Sequence, residues 1–307
     1  MPTDERPPAR QVRVPLGTAQ RARELASAGL SPPVPRDAAT VILLRQAAGV
    51  EAFLLRRTRA LEFAPGACVF PGGSVDGRDA DPAIGETGWA GPSPADFGGR
   101  LGVSADRARA LVCAAVRETF EECGVLLAGP SPASLVQDTA ILAQDRHALL
   151  EGSASLGEVL GRRGLVLRAD LLTPWARWIT PEISPRRFDT WFFAAALPPG
   201  QRTALPQRGP GGWVPPDARG SGGSSPRGHT EADSGSWLRP SAALEAARAG
   251  QITLLPPTAV TLAELAAYQD VGDILAARRV IAPLLPEVVV EEDRAWLALP
   301  PATEYPL

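Results

Sequence analysis

Blocks of apolar and polar positions succeed one another along the chain, and their period changes from block to block. The runs AATVILLRQ (38–46) and VEAFLLRRT (50–58) are apolar and partly β-branched, and a Gly-containing turn separates them. This pattern predicts two paired strands. FDTWFFAAAL (188–197) is a third run of the same kind. Its aromatic residues 191–193, together with Trp178, are expected in the core rather than stacked on a nucleotide base.

A helical period begins at Ser104. Ser104 can cap the helix, and Asp106 falls in the first turn, where the helix dipole favours an acid. Apolar residues at 111 and 114–116 form one side of the helix, and Gly124 provides a C-terminal stop. The pattern therefore predicts a helix of about 20 residues that ends just before Gly124.

Further helices are predicted on both sides of the third strand. Residues 132–173 have a helical pattern, and SWLRPSAALEAARAG predicts the end of a strand followed by a helix. TLAELAAYQDVGDILAARRVI predicts one or two more helices. Thr261 and Glu264 have the spacing of a capping box, which predicts a helix start at Thr261.

Other segments lack a pattern that builds a core. Residues 1–37 are polar and Pro-rich and are expected to form an N-terminal extension. Residues 74–104 and 198–229 are rich in Gly and Pro, and the sequence predicts a long loop for the first and a flexible loop for the second. One folded domain over residues 38–285, with a C-terminal tail at 286–307, accounts for the whole pattern.

Composition narrows the classes of function. The 307 residues are 45% hydrophobic and carry a formal net charge of −3, which argues against a non-specific nucleic-acid binder. No apolar run approaches the ~18–20 residues that cross a bilayer, and the N-terminus lacks a signal-peptide pattern. A soluble cytoplasmic protein is expected. Cys68, Cys113 and Cys123 have irregular spacing and are expected as reduced, buried thiols.

The candidate chemistry lies in RETFEECGV, the last two turns of the predicted helix. Glu118, Glu121 and Glu122 are related as i, i+3 and i+4, so their carboxylates share one face. A solvated charged face is one interpretation. A Mg²⁺ or Mn²⁺ site is the other, because convergent carboxylate oxygens suit hard cations. Upstream, the FPGG sequence at 70–73 follows a strand and offers backbone N–H groups to a phosphate.

These residues resemble the signature of the Nudix hydrolases: a Gly, five residues, an acid, seven residues, then Arg-Glu-x-x-Glu-Glu-x-Gly and an aliphatic residue. Between the acid and the Arg lie 37 residues where the family has seven, an insertion of 30. Within the insertion, Glu86 of GETGWA imitates part of the signature at the wrong distance from both ends. The matching residues are Gly73, Asp79 (where the family usually has Glu), Arg117, Glu118, Glu121, Glu122, Gly124 and Val125.

One Nudix subgroup, which includes peroxisomal coenzyme A diphosphatases, is similar in having FPGG-x-x-D, a long insertion and then the Arg-Glu helix. LLRRTRALEFAPGACVFPGG, RWITPEISPRRFDTWFFAAALP and LLPPTAVTLAEL also resemble segments of that subgroup. The resemblance covers roughly residues 38–285 and implies an α/β/α sandwich with a mixed sheet, an insertion over about 80–104 and extra C-terminal helices.

The resemblance also implies a metal-dependent hydrolase that uses Mg²⁺ or Mn²⁺ to cleave the pyrophosphate of a nucleoside diphosphate linked to another moiety. Glu121 and Glu122 would be metal ligands, Glu118 a ligand or the general base, and Arg117 a residue that orients them. Gly72 and Gly73 would let the backbone approach the substrate.

Further site residues are predicted outside the signature. The resemblance implies that Glu231, in HTEADSGSWL, supplies another acid to the metal and to catalysis. Asp233 is the competing candidate for this role, and a solvated acid with no role at the site is the other interpretation of Glu231. Arg186 and Arg187 offer cationic forks that suit phosphates, and a surface role is the alternative. His147 and His229 are expected to have surface or structural roles.

Coenzyme A or acyl-coenzyme A, cleaved to 3′,5′-ADP and a phosphopantetheine product, is the substrate that the subgroup resemblance implies. A diphosphatase for ADP-ribose or NADH, and a non-catalytic nucleotide-binding protein, are the alternatives. The 3′-phosphate would meet arginines at 56, 57, 59, 186 and 187, and the insertion's Trp89, Phe97 and Leu101 would line a groove for the pantetheine arm. No nucleic-acid or membrane partner is expected, and a homodimer is left open.

Overall fold

A computed structural model of the chain describes most of its residues. The described residues are 11–14, 31–58, 65–82, 84, 88–205, 232–291, 294–301 and 303–307.

The strands of this part of the chain form one large sheet and two small ones. The strands are β1 (Gln11–Val14), β2 (Arg36–Gln46), β3 (Val50–Arg57), β4 (Ala67–Val69), β5 (Gly72–Ser74), β6 (Trp89–Ala90), β7 (Ala128–Gly129), β8 (Val166–Arg168), β9 (Thr173–Ile179), β10 (Phe188–Ala196), β11 (Ala232–Leu238), β12 (Thr253–Leu254), β13 (Pro283–Leu284), β14 (Glu287–Glu291) and β15 (Arg294–Ala298). The helices are α1 (Pro94–Leu101), α2 (Ala105–Cys123), α3 (Ala143–Leu150), α4 (Leu156–Arg163), α5 (Pro240–Arg248), α6 (Pro256–Leu265) and α7 (Val271–Ala276).

The large sheet has the order β12-β4-β3-β2-β10-β9-β13, with β11 also paired to β3 and β5 to β2. At its centre, β10 runs parallel to β2 in a register that joins Phe188 to Arg36. β2 and β3 are antiparallel, as the turn between their sequences predicted. The sheet is therefore mixed, and its central strands are the three apolar runs recognised in the sequence.

Alternation along the central strands builds a core on each face of this sheet. Val41 and Leu43 of β2 belong to a core that includes residues of α1, α2, α3 and α4, whereas Ile42 and Leu44 belong to a second core with residues of α5, α6 and α7. The predicted α/β/α sandwich is confirmed. The aromatic residues of β9 and β10 are buried in these two cores, as predicted: Trp178, Trp191, Phe192 and Phe193.

Helix α2 agrees with its sequence signals at both ends. The Ser104 hydroxyl accepts a hydrogen bond from the Arg107 N–H at 3.3 Å. Gly124 has a φ of 73°, which favours glycine, and its N–H donates to the Phe120 carbonyl. Thirteen residues of the helix are buried, because α2 lies between the sheet and the helices of the insertion and of 143–163.

The insertion differs from the long loop that its sequence predicted. Ser93 begins α1 with a capping box to Asp96, and the side chains of Phe97 and Leu101 are buried in the core beside α2. Trp89 meets Phe97 edge to face with ring centroids 6.3 Å apart. Since Phe97 and Leu101 are 0% and 2% exposed, the expectation that they line an open groove for a pantetheine arm is wrong.

A second difference concerns the start of α6. This helix begins at Pro256, with Pro at its first positions, rather than at Thr261. Pro is favoured there because it has no N–H to satisfy and its φ already suits a helix. Thr261 is buried within the helix, and the Glu264 carboxylate accepts from Trp175 Nε1 at 2.8 Å instead of capping. The capping-box prediction at Thr261 is therefore wrong.

The predicted terminal extension and tail both contribute ordered structure. β1, from the N-terminal segment, pairs with β15, and β15 pairs with β14. Leu299 is buried in the second core, and Tyr305 packs against it. Residues 201–205 are also ordered, since the N–H of Ala204 donates to the Cys123 carbonyl at 2.8 Å. The folded unit thus extends beyond residue 285 and into the start of the predicted flexible loop.

Two further predictions from the sequence concern the cysteines and membrane-spanning helices. Cys68, Cys113 and Cys123 are free and buried, as predicted, and burial raises the pKa of the Cys123 thiol to about 12. A thiol with so high a pKa is unreactive at neutral pH. Among the described helices, none has the length and apolar character needed to traverse a lipid bilayer.

The start of α2 is tied to the sheet by a buried acid that provides a stability prediction. Asp189 accepts from Arg177 at 2.6 and 2.8 Å and from Arg107 at 3.1 Å. We expect Asp189→Ala to lower the free energy of unfolding by about 3 kcal/mol, because it leaves partly buried guanidinium groups without their partner. Urea-induced unfolding measures this change. The matched control is Asp170→Ala, which removes an acid that is 34% exposed and paired with Arg168 and should cost less than about 1 kcal/mol. Equal losses in both variants would contradict the prediction.

Candidate active site

The end of α2 lies against β5, which carries the two glycines of FPGG. β5 pairs with β2, with Gly72 opposite Thr40 and Gly73 opposite Ala39. The Gly72 N–H donates to the Glu122 carboxylate at 2.7 Å. A Cβ on Gly73 would lie 2.5 Å from the Glu118 carboxyl carbon, closer than any real contact. A Cβ on Gly72 would collide with the Ala39 carbonyl of the paired strand, so the backbone requires glycine at this position. The sequence-predicted acids and glycines therefore meet in one place.

Arg117 joins this site to the residue before the insertion. Its Nε and Nη2 donate to the Asp79 carboxylate at 3.0 and 2.9 Å, and Nη2 also donates to the Ser74 carbonyl at 2.9 Å. Its Nη1 donates to Glu118 at 2.8 Å and to both oxygens of Glu121 at 3.3 Å. Asp79 and Arg117 are 38 positions apart in sequence. The chain therefore leaves the site after Asp79, folds the insertion, and returns at α2.

Asp79 also holds the turn that it belongs to. Its carboxylate accepts from the Asp76 N–H at 2.8 Å, while the Asp76 side chain accepts from Arg78, which closes a capping box around residues 77–80. The Asp79 side chain is 2% exposed. The acid that stands where the family usually has Glu thus has two structural partners, the turn and Arg117.

Burial sets the electrostatics of the cluster. It raises the pKa of Glu118 to about 7, although the neighbouring Arg117 acts in the opposite direction. Burial likewise raises the pKa of Glu121. Burial alone would lower the pKa of Arg117, but hydrogen bonds to Asp79 and the charges of Glu118 and Glu121 raise it. A carboxyl group that titrates near neutral pH is suited to accept a proton from water.

The donor chemistry of the cluster suits a hard divalent cation. Asp79, Glu118 and Glu121 surround a single guanidinium, so three acids share one positive charge, and added positive charge would stabilise the ionised glutamates. Carboxylate oxygens are the ligands that Mg²⁺ and Mn²⁺ prefer. In the described part of the chain, however, no three His, Cys, Asp or Glu side chains form a metal-ligand group. The reason is local: Glu118 and Glu121 face Arg117, and Glu122 faces the Gly72 N–H.

The two predicted phosphate-binding arginines lie elsewhere. Phe188, which follows them, pairs with Arg36 of β2, and the adjacent Asp37 binds Arg107 in the first turn of α2. They are therefore near the opposite end of α2 from the glutamates. Arg187 is buried and donates to the carbonyls of Thr180 and Pro33, which is a structural arrangement. Arg186 is exposed.

The remaining predicted residues are only partly described. His147 lies on the surface beside Glu151, with Nε2 3.2 Å from its carboxylate. Glu86, His229 and Glu231 lie outside the described residues, and for Asp233 only the backbone, within β11, is described.

Sequence reasoning missed two polar residues at the end of α2. Gln201 is buried and pairs with the backbone of Leu126, accepting from its N–H and donating to its carbonyl, both at 2.9 Å. Arg146 of α3 donates to the carbonyls of Phe120, Glu121 and Glu122. Neither has a local signal, because both act on backbone groups far away in sequence.

Several known proteins are similar to this chain in sequence, in fold or in both. No family model matches the chain. The chain is 27% identical over 290 residues to acyl-coenzyme A diphosphatase NUDT19 of Gallus gallus, an alignment that covers 78% of this chain and 70% of that protein. It resembles a crystal structure of a Nudix hydrolase from Alicyclobacillus acidocaldarius with a TM-score of 0.62 and 25% identity, covering 81% of this chain and 99% of that one. In both sequence and fold, the chain is similar to the Nudix hydrolases.

Two further relatives show the same similarity. Acyl-coenzyme A diphosphatase NUDT19 of Xenopus laevis is 26% identical and putative nudix hydrolase 7 of Caenorhabditis elegans is 27% identical, over 73% and 76% of this chain. The chain spans 62% of the length of each of these two proteins. The predicted family and the predicted enzyme class, a Nudix diphosphatase, are both confirmed, and the predicted resemblance to coenzyme A diphosphatases is found again among its relatives.

Proposed function

We propose that this Nudix hydrolase cleaves the pyrophosphate of coenzyme A or acyl-coenzyme A, giving 3′,5′-ADP and a phosphopantetheine or acyl-phosphopantetheine product. The observation that carries the proposal is the reassembly of the interrupted signature, in which Asp79 and Arg117 meet beside Glu118 and Gly73 across the insertion. The choice of substrate is supported by the names of the relatives in Gallus gallus and Xenopus laevis.

In this mechanism a bound Mg²⁺ or Mn²⁺ would supply positive charge for the pyrophosphate oxygens and would lower the pKa of the attacking water. Glu121 and Glu122 would hold the cation, and Glu118 would be a further ligand or the general base. Glu231 would supply one more carboxylate to the cation and to catalysis. Arg117 keeps Glu118 and Glu121 close together through its Nη1. Gly73 leaves the space that the Glu118 carboxyl group itself occupies, so this acid can lie directly against β5.

Specificity for coenzyme A requires a group that recognises the 3′-phosphate. Arg56 and Arg57 are candidates, because they lie at the end of β3, and β3 pairs with the strand that leads to FPGG. Arg56 pairs with Cys68 of β4, two residues before Phe70 of FPGG, and Arg57 pairs with Ala232, the residue after Glu231. Arginine forks suit phosphate oxygens. Arg187 is left out of this role because backbone carbonyls occupy its guanidinium.

A substrate panel tests the proposal. With saturating Mg²⁺ or Mn²⁺, kcat/KM is measured for coenzyme A, acetyl-coenzyme A, dephospho-coenzyme A, ADP-ribose and NADH, and the products are identified by mass. We expect coenzyme A or acetyl-coenzyme A to exceed ADP-ribose and NADH by at least about tenfold, because a site built around an extra phosphate loses that contact with the other substrates. Dephospho-coenzyme A should fall below coenzyme A for the same reason.

The alternatives are outcomes of the same panel. If ADP-ribose or NADH leads by tenfold, or if the 3′-phosphate has no effect, the coenzyme A assignment is wrong. Binding of these nucleotides without turnover would indicate a non-catalytic nucleotide-binding protein. Glu121→Gln protein from the same preparation is the control against a contaminating diphosphatase.

A further inference from the structure

The C-terminal end of α2 is an unfavourable place for three glutamates. Helix dipoles place partial negative charge at this end, where acids are destabilising and cations are stabilising. α2 itself has no basic residue in its last turn. The dipole therefore opposes the negative charge of Glu118, Glu121 and Glu122. Arg117, one turn earlier, offsets part of this charge through Glu118 and Glu121, and further positive charge has to come from another element.

Arg146 supplies that charge from α3. Its Nε donates to the carbonyls of Phe120 and Glu121, both at 2.9 Å. Its Nη2 donates to the same Glu121 carbonyl at 2.7 Å and to the Glu122 carbonyl at 3.3 Å. One guanidinium thus bridges three consecutive carbonyls at the end of α2. Burial lowers the pKa of Arg146, but a guanidinium is basic enough to keep its charge at neutral pH.

The last backbone acceptors of α2 are all satisfied by this arrangement. Phe120 also accepts from the Gly124 N–H at 2.9 Å, and Cys123 accepts from the Ala204 N–H. Helix ends without such partners fray, because no N–H group inside the helix donates to the last four carbonyls. Arg146 provides the hydrogen bonds to the Glu121 and Glu122 carbonyls, the backbone of two proposed metal ligands.

The position of Arg146 is itself fixed. Its neighbour Asp145 is buried and accepts from Arg162 at 2.6 Å and from Arg163 at 2.8 Å, which fastens α3 to α4. The guanidinium of Arg146 is therefore held at the end of α2 by a rigid element rather than by a loop.

We propose that Arg146 is a positioning residue for the reaction: by bridging the Phe120, Glu121 and Glu122 carbonyls it fixes the backbone under the acids and offsets the negative potential at the helix end. This inference rests on the proposed function. It assigns Arg146 no contact with substrate. It predicts that the residue affects the affinity for the divalent cation and kcat, and leaves KM for the diphosphate unchanged.

The first test uses the full-length protein without metal. Amide hydrogen exchange is compared for a peptide covering residues 117–125 in wild type, Arg146→Gln and Arg162→Gln. Arg162→Gln is the matched control, since it removes a guanidinium from the same region while Asp145 keeps Arg163. We expect exchange in this peptide to accelerate by about tenfold in Arg146→Gln, because the helix end opens locally, and to stay unchanged in the control.

The second test titrates Mn²⁺ and then measures turnover. In Arg146→Gln, the Mn²⁺ concentration that half-saturates the protein should rise about tenfold, in line with the loss of a buried cation at a helix C-terminus. At saturating Mn²⁺, kcat should fall while KM for the diphosphate stays within about threefold. Arg146→Lys should lie between wild type and Arg146→Gln, because an ammonium keeps the charge but has no planar fork.

The possible results distinguish failure of the Arg146 inference from failure of the proposed function. Wild-type exchange and wild-type Mn²⁺ affinity in Arg146→Gln would overturn the inference. A general loss of stability, with the same changes in Arg162→Gln, would reduce Arg146 to a structural residue and also overturn it. If the wild-type protein binds Mn²⁺ but hydrolyses none of the diphosphates, the proposed function fails, while the exchange and Mn²⁺ data still decide the role of Arg146. If the wild type does not bind Mn²⁺ at all, both proposals fail.

Discussion

Glu121→Gln and Glu122→Gln are each expected to lower kcat by about 10²–10⁴, because removing a carboxylate from a metal site deletes several kcal/mol of transition-state stabilisation. The measurement is turnover of the best diphosphate substrate at saturating Mg²⁺. The fold should survive both changes. A glutamine oxygen can still accept from the Gly72 N–H at position 122, and fewer like charges at a helix C-terminus leave stability equal or slightly higher.

Glu151→Gln is the matched control for this prediction. It makes the same chemical change at an acid that is 59% exposed and beside His147, and it should leave kcat unchanged. Thermal unfolding of all three variants separates lost chemistry from lost structure. Near-normal turnover in both Glu121→Gln and Glu122→Gln would refute the proposal that these glutamates hold a catalytic cation.

Asp79→Ala is expected to lower the free energy of unfolding by about 3 kcal/mol or more, because breaking a buried ion pair leaves a charge without its partner. The Asp79 side chain is 2% exposed and makes three hydrogen bonds to Arg117, and it also accepts from the Asp76 N–H. Without it, Arg117 retains only the Glu118 and Glu121 carboxylates and the Ser74 carbonyl, so the orientation of these acids should loosen and kcat should fall with stability. Urea-induced unfolding measures the first effect.

The control for Asp79 lies in the same turn. Asp76→Ala removes a side chain that is 41% exposed, binds Arg78 and caps the turn, so its loss should cost about 1 kcal/mol. If Asp79→Ala costs no more than Asp76→Ala, then the two glutamates suffice to stabilise Arg117, and the pair across the insertion is not what holds the site together.

The insertion illustrates where sequence patterns failed. The helix α1 has a local signal, since Ser93 and Asp96 form a capping box and Phe97 and Leu101 are spaced as i and i+4. Gly98 and Gly99 weaken that signal, because each Gly lowers helix stability by about 1 kcal/mol relative to Ala. Packing outweighs this loss: Phe97 and Leu101 are buried beside α2, and a Cβ on Gly98 would meet the Val103 carbonyl at 2.8 Å. Tertiary contacts thus turned a predicted loop into part of the core.

Features that depend on the spacing of nearby residues could be predicted from the sequence. The i, i+3 and i+4 relation of Glu118, Glu121 and Glu122 follows from helix geometry alone, and Ser104 and Gly124 fixed the ends of α2 because caps act on neighbouring backbone groups. The apolar runs likewise predicted the central strands, whereas the sandwich was implied by the resemblance to the Nudix hydrolases.

Contacts between residues far apart in the chain could not be predicted from the sequence and are seen only in the folded structure. Asp79 meets Arg117 across the insertion, Gly73 faces the Glu118 carboxyl, and Arg146 reaches the end of α2. Such pairs have no fixed sequence separation, because the intervening chain can fold in many ways without changing the pattern on either side. They form here because α2, β5 and α3 pack together around one core, and that packing is a property of the whole fold.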